Sequence, residues 1–242
     1  MTIQVQEFQK WSIFILPILL SLFFLIYKIV FPENYYQAIQ EDSIIEYAQA
    51  ALYFAAAVLS LSIAFRFFRD HANIHAALYC IFFLFLLVVS LEEISWGQRI
   101  FGIDTPGFFF RHNLQHEFTV HNMENIQPFL PSVFICIGFY GSFSWLLQIK
   151  HQFKSPFIDF YIPGWYLSFY FFATLCIYFF FDFVNPYAVF VLGIERFRIE
   201  HFFLWRDQEP AELLLALGFF FFVLINFIRQ RIQVFHFQSS SK

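Results

Sequence analysis

The chain alternates between long apolar runs and short polar segments. A helix needs about 20 largely apolar residues to cross the hydrocarbon core of a bilayer. Six runs reach or approach that length, at about 11–30, 44–65, 76–93, 129–149, 164–181 and 211–228. The pattern predicts an all-α integral membrane bundle of six transmembrane helices, one membrane domain over residues 1–242, with a long outer segment after the third span.

The basic residues of the short loops predict how the bundle is oriented. Arg66 and Arg69 follow the second run, Lys150 and Lys154 follow the fourth, and basic residues also follow the sixth. Lys and Arg accumulate in short cytoplasmic loops of membrane proteins. We therefore expect both the N-terminus and the C-terminus on the cytoplasmic side, with the first run kept as a signal-anchor helix.

Composition supports a membrane protein and argues against a nucleic-acid partner. The chain is 60% hydrophobic and only 13% charged, whereas a soluble domain carries roughly a quarter charged residues. Its net charge of −4 does not suit phosphate binding, which needs clustered Lys and Arg. All three cysteines lie inside apolar runs and indicate neither a disulfide framework nor a zinc knuckle.

The acidic residues are distributed unevenly between the two sides. In the predicted orientation, only Glu7, Asp70 and Asp159 of the 18 Asp and Glu residues lie inside. Acids contribute little to topology, so membrane insertion does not explain this bias. We therefore expect the polar chemistry of the protein at its outer end.

Two candidate positions lie at span ends on that side. Glu46 begins the second run three residues after Ser43, a spacing typical of a helix capping box and compatible with a second role in a site. Glu92 and Glu93 close the third run. If the helix continues to Trp96, Glu92 can pair with Arg99, which leaves Glu93 free to act. The alternative is an interfacial anchor, with Trp96 in the aromatic belt and both acids in water.

The outer segment that follows is rich in histidine. His112 and His116, and likewise Glu117 and His121, are four residues apart, a spacing that lets two side chains share a metal ion on a helix. A solvated loop with incidental histidines is the alternative. The last outer segment, residues 194–212, alternates charged and aromatic residues and predicts an interfacial helix that carries His201. There a helix start accounts for Glu209, while Glu212 lies deeper and is the stronger site candidate.

Two blocks of the outer segment resemble a family of uncharacterised bacterial multi-spanning membrane proteins. They are "EEISWGQR" (92–99) and "NLQHEFTVHN" (113–122), and "EDSIIEY" (41–47) is similar to an acidic cluster of the same family. His116 stands where the family tends to have glycine, which favours the Glu117/His121 pair over His112/His116. The resemblance implies a bacterial plasma-membrane protein and a shared residue set: Glu46, Glu92, Glu93, Trp96, Gln98, Arg99, Asn113, Gln115, Glu117, His121 and Asn122.

Together these observations predict a polar site at the outer face. We expect Glu93, Glu46, Glu117 and Arg99 to be catalytic, and Trp96, Gln98, Asn113, Gln115 and Asn122 to bind substrate. We expect His121, His201 and Glu212 to bind zinc or another divalent metal. The expected activity is a metal-dependent hydrolase or transferase that acts on a membrane lipid or lipid-linked substrate. An ion-coupled transporter and a non-catalytic subunit of a membrane complex are the alternatives, and the sequence does not identify a protein partner.

Overall fold

The computed structural model of the chain describes residues 7–40, 42–149, 157–184 and 205–240, the last nine by backbone alone. Ten α-helices lie in these ranges: α1 (Glu7–Val30), α2 (Pro32–Ala38), α3 (Ile44–Arg69), α4 (Asn73–Glu93), α5 (Gln98–Phe101), α6 (Gly107–His112), α7 (Leu130–Phe143), α8 (Leu146–Ile149), α9 (Ser168–Phe179) and α10 (Gln208–Ser240). Short 3-10 turns precede α5, α7, α9 and α10, and a π-turn, Phe180–Val184, extends α9.

Six stretches of the described chain are long and apolar enough to cross a membrane, which confirms the predicted all-α bundle. These spans are Glu7–Val30, Ile44–Arg69, Asn73–Glu93, Gln127–Ile149, Ile158–Val184 and Gln208–Arg231. Each predicted run lies inside its span. The predicted and observed bounds differ most for the fifth span, where helical turns begin at Ile158. We call the end that holds Glu46, Glu93 and Glu212 the outer end, after the predicted orientation.

The core of the bundle forms around α10, which packs against α3 and α9, while α3 packs along α4 and α7 along α9. Small residues allow the close approaches. Ala56 and Ala57 of α3 are completely buried. A Cβ atom added to Gly141 of α7 would lie 2.1 Å from Cγ of Phe171 in α9. Helices in lipid gain most of their association energy from such close packing, because burial of apolar surface offers little there.

The first span lies at the edge of the bundle and is fastened at its outer end by a buried ion pair. Lys28 of α1 binds Asp207, the residue before α10, and the hydroxyl of Tyr35 donates to the other Asp207 oxygen at 2.8 Å. Burial and the adjacent Asp207 charge raise the pKa of Tyr35, so its hydroxyl remains a donor. This cluster therefore connects α1, α2 and the start of α10.

Candidate functional site

A cavity of about 310 Å³ opens at the outer end between spans 2 to 6 and the loop after α4. Its outer part is polar and contains seven carboxyl side chains: Asp42, Glu46, Glu92, Glu93, Glu117, Glu209 and Glu212. Its deeper wall is apolar and includes Phe85, Val89, Val133, Phe134, Leu215 and Phe219. Phe85 lies eight residues below Glu93 on α4, or about 12 Å along the helix, so the cavity reaches toward the bilayer centre.

Between α4 and α7, the cavity wall contains side chains that are also exposed on the outside of the bundle. Both helices line the cavity, but within the described residues they make no extended contact with each other. Phe85 of α4 and Val133 of α7 are wall residues that are also 39% and 47% exposed. These two side chains therefore face both the cavity and the surface that the bilayer covers.

The turn after α4 differs from the sequence-based expectation. The helix ends at Glu93, and Ser95, Trp96 and Gly97 all have positive φ, between 48° and 76°. Such left-handed residues reverse the chain, so the helix does not continue to Trp96 and the expected Glu92–Arg99 pair does not form. Arg99 instead forms ion pairs with Asp42 and Glu117.

Glu92 is held by four donors from the loop. One of its oxygens accepts from the indole N–H of Trp96 at 2.6 Å. The other accepts from the backbone N–H groups of Val120 and His121, at 2.8 and 2.9 Å, and lies 2.9 Å from Nδ1 of His121. A carboxylate bonded to Nδ1 orients an imidazole and leaves Nε2 to act as a base or a metal ligand.

His121 lines the cavity together with its carboxylate partner. Within the described residues, its side chain has no other hydrogen-bond partner than Glu92. It also lies near enough to Glu212 for their charges to interact. The imidazole can therefore reach a ligand inside the cavity without breaking the bond to Glu92.

Glu93 has the least restrained carboxyl group of the site. No hydrogen bond or ion pair to its side chain occurs among the described residues, although it interacts electrostatically with Glu212, Glu209, Glu46 and Glu92. Glu212 differs, because it accepts a hydrogen bond from the hydroxyl of Tyr178. Among the described residues, Glu93 therefore lines the cavity without a hydrogen-bond partner.

Glu46 takes part in the helix cap and also lines the cavity. Ser43 caps α3 by accepting from the backbone N–H of Glu46 at 3.4 Å, and Glu46 in return accepts from the backbone N–H of Asp42. The same Glu46 side chain lines the cavity. The capping interaction therefore fixes the carboxyl group at the cavity rim.

The amide residues of the two sequence blocks mainly hold the outer loop together. Asn113 is 2% exposed; its amide donates to Thr119, and its oxygen accepts from the backbone N–H of Gln115 and Glu117. Gln98 bridges Thr105 and the backbone N–H of Phe118. Of the five residues expected to bind substrate, Gln115 and Asn122 line the cavity, whereas Trp96, Gln98 and Asn113 do not.

The loop also restrains Glu117, which was expected to be catalytic. Glu117 lines the cavity but accepts from the Ser95 hydroxyl at 3.0 Å and pairs with Arg99. Arg99 itself is not part of the cavity wall. The geometry therefore makes Arg99 a residue that positions the loop, and Glu117 its anchor at the cavity.

The metal hypothesis has limited geometric support. Within the described parts of the chain, no group of three or more His, Cys, Asp or Glu side chains is placed to hold a metal ion. His116 lies beyond the end of α6, so it does not share a helix with His112. Glu117 and His121 bind different partners, Arg99 and Glu92. His121 and Glu212 share the cavity, but His201 lies outside the described residues.

Several cavity residues were not identified from the sequence. Glu209 was interpreted as part of a helix start, yet its carboxyl group lines the cavity and accepts from Gln49 at 3.2 Å. Tyr178, Arg206 and Gln208 also line it. Glu209 and Glu212 are three residues apart on α10 and thus share a face, a spacing that could have indicated Glu209. No local signal marks Tyr178.

Comparison of the chain with models of known families, with curated proteins and with solved structures gave no match.

Proposed function

We propose that the outer cavity is the active site of a membrane-embedded hydrolase or transferase that acts on a lipid or lipid-linked substrate. The observation that carries this proposal is the division of one cavity into a polar outer part and an apolar deeper part, whose wall residues Phe85 and Val133 are also exposed on the outside of the bundle. An amphiphile has the same division. A water-soluble substrate would have no use for the apolar half.

The substrate enters between α4 and α7 and keeps its chain against the apolar wall. Phe85 and Val133 flank that path. The scissile headgroup then lies among the carboxyl groups of the outer part of the cavity. Lateral entry means that the lipid need not leave the bilayer, where the transfer of each CH₂ group to water costs about 0.8 kcal/mol.

Glu92 and His121 supply the general base of the proposed reaction. Glu92 fixes the imidazole through Nδ1, and Nε2 takes a proton from an attacking water molecule or substrate hydroxyl. His121 then returns this proton to the leaving oxygen, while the Glu93 carboxylate contacts the headgroup and positions it for the attack. The metal predicted at His121, His201 and Glu212 stays a prediction, and chelation of the purified protein followed by an activity measurement tests it.

The cavity supports this function better than ion-coupled transport. Transport sites lie near the membrane centre with access to both sides. Here the deep wall residue Phe219 packs against aromatic rings, with centroid distances of 6.0 Å to Tyr53, 5.9 Å to Phe82 and 5.6 Å to Phe171. The polar groups of the site therefore lie on one side of an aromatic layer. Membership in the family of bacterial membrane proteins, and a place in the bacterial plasma membrane, are part of the same proposal.

The test uses purified protein in vesicles made from a total bacterial lipid extract. We expect the lipid profile, followed by mass spectrometry, to show loss of one lipid class and release of a headgroup or acyl fragment. Glu93→Gln removes the charge that positions the headgroup and should slow this conversion about 100-fold. Glu124→Gln, which changes an exposed acid of the same loop outside the cavity, is the matched control. An unchanged lipid profile, or equal turnover by both variants, would contradict the proposal.

A further inference from the structure

The charges that line the cavity are strongly unbalanced. Seven carboxyl side chains face Arg206 and His121, the basic residues of the described wall. Arg99, which lies outside the wall, forms ion pairs with Asp42 and Glu117, and His121 is paired with Glu92. The excess negative charge therefore lies on the remaining acids of the wall.

Two of these acids form no ion pair with any described residue. Neither Glu93 nor Glu212 is within ion-pair distance of a Lys, Arg or His side chain among the described residues, and the donor to Glu212 is the neutral Tyr178 hydroxyl. Carboxyl groups with low exposure to water are costly unless they are paired or bind something. A ligand that brings positive charge would provide this pairing.

A separate observation comes from Gln208 in the same wall. This side chain is 7% exposed, and its Nε2 amide is buried with no hydrogen-bond partner in the part of the chain that the structure describes. Buried donors in proteins are nearly always satisfied, so an unpaired one in a cavity wall points to an acceptor that a ligand supplies. The cavity thus contains two carboxyl groups, Glu93 and Glu212, that can accept hydrogen bonds from a positively charged group. It also contains the Gln208 amide, which can donate to an oxygen of the same ligand.

We infer that the cavity binds the headgroup of an amine-bearing lipid, with its ammonium group between Glu93 and Glu212 and a headgroup oxygen at the Gln208 amide. This inference rests on the proposed function and specifies the substrate class of the same site. Each N–H of an ammonium group can donate to a carboxylate oxygen, and such charge-assisted bonds are about twice as strong as neutral ones. A phosphodiester or ester oxygen near the amine suits the Gln208 donor.

The same chemistry distinguishes a primary amine from other cations. A quaternary ammonium group carries charge but no N–H, so it cannot donate to Glu93 or Glu212. A divalent metal needs several ligands at short distance, and the described residues form no group of three that could hold one. We therefore expect phosphatidylethanolamine to bind more tightly than phosphatidylcholine or phosphatidylglycerol.

The experiment is native mass spectrometry of the full-length protein in detergent, titrated with these three lipids carrying identical dioleoyl chains. We expect phosphatidylethanolamine to bind about tenfold more tightly than phosphatidylglycerol, which corresponds to one charge-assisted hydrogen bond. Glu93→Gln and Glu212→Gln should each remove most of this preference, and Glu124→Gln should keep it. Gln208→Leu should weaken phosphatidylethanolamine binding several-fold while its preference over phosphatidylglycerol persists. Retention volume and melting temperature confirm that each variant is folded.

Two further measurements show whether the cavity recognises a lipid, a free headgroup or a metal ion. Glycerophosphoethanolamine, the headgroup without chains, should bind far more weakly, because the apolar wall is then empty; equal binding would overturn the assignment to a lipid. EDTA should leave the preference unchanged; its loss would assign the acids to a metal instead. Equal affinity for the three lipids, or a preference that survives Glu93→Gln and Glu212→Gln together, overturns the inference even if a lipid is hydrolysed. Selective binding without turnover of any lipid would instead contradict the proposed activity.

Discussion

The two ends of the bundle both bury polar side chains between helices, but they use them differently. At the inner end, Asn226 of α10 donates to the Tyr79 hydroxyl at 3.0 Å and to the Phe160 carbonyl, and its own oxygen accepts from Arg229 at 2.7 Å. Tyr79 and Asn226 are 2% and 1% exposed. This inner network is closed, because its donors and acceptors satisfy one another and leave no surface for a ligand.

The outer cavity differs because some of its polar groups are left unsatisfied by the described residues around them. Its acids repel each other, Glu93 has no hydrogen-bond partner, and the Gln208 amide is unpaired among the described residues. Buried polar groups therefore do not by themselves indicate a site. The indication comes from like charges and unpaired groups around a volume of about 310 Å³.

The largest expected effect comes from the base of the outer cavity. His121→Asn removes Nε2 from the cavity, so we expect turnover of the lipid substrate to fall by about 100-fold or more, with a melting temperature close to that of the parent protein. His112→Asn, which changes an exposed histidine of the same loop, is the control and should keep full activity. A large loss of stability in His121→Asn would show that the outer cavity is structural like the inner network.

The inner network should show the opposite response. Asn226→Ala leaves the Tyr79 hydroxyl and the Arg229 guanidinium each short of a partner, so we expect a loss of about 2 kcal/mol in unfolding free energy. Activity per folded molecule should not change. Unfolding in mixed detergent measures the loss of unfolding free energy. Asn125→Ala, which changes an exposed asparagine, is the control. The comparison fails if Asn226→Ala lowers turnover in the fully folded protein.

A smaller effect should follow from narrowing the proposed substrate path between α4 and α7. Val133→Trp fills part of that path, so kcat/KM for a vesicle-bound lipid should fall about tenfold while kcat stays nearly constant. Val88→Trp places the same bulk on an exposed α4 position outside the cavity wall and should have no effect. Equal kinetics of the two variants would argue against lateral entry.

The smallest effect concerns the support of Glu92. Trp96→Phe removes one of the four donors to this carboxyl group, so we expect a loss of about 1 kcal/mol in transition-state stabilisation, a roughly fivefold lower kcat/KM. Trp145→Phe removes an indole hydrogen bond to the Ser142 carbonyl at the inner end and is the control. If both variants behave alike, the Trp96 bond has no special part in holding the Glu92–His121 pair.

The sequence by itself determined the six spans and the uneven distribution of acids. Both features depend on local composition, because a bilayer accepts only long apolar helices whatever their neighbours are. Glu46, Glu93, His121 and Glu212 could also be singled out, since they stand at span ends or in a polar loop. Their gathering around one cavity, by contrast, depends on how the helices pack against each other.

Only the tertiary structure decided which polar groups bind each other and which remain open to a ligand. The left-handed turn at Ser95–Gly97 moved Arg99 away from Glu92, so Glu92 bonded to His121 instead. Tyr178 and Glu212, 34 residues apart in the chain, meet only because α9 packs on α10. Pairings of this kind depend on backbone reversals and helix packing between distant segments, and no local pattern of residues encodes them.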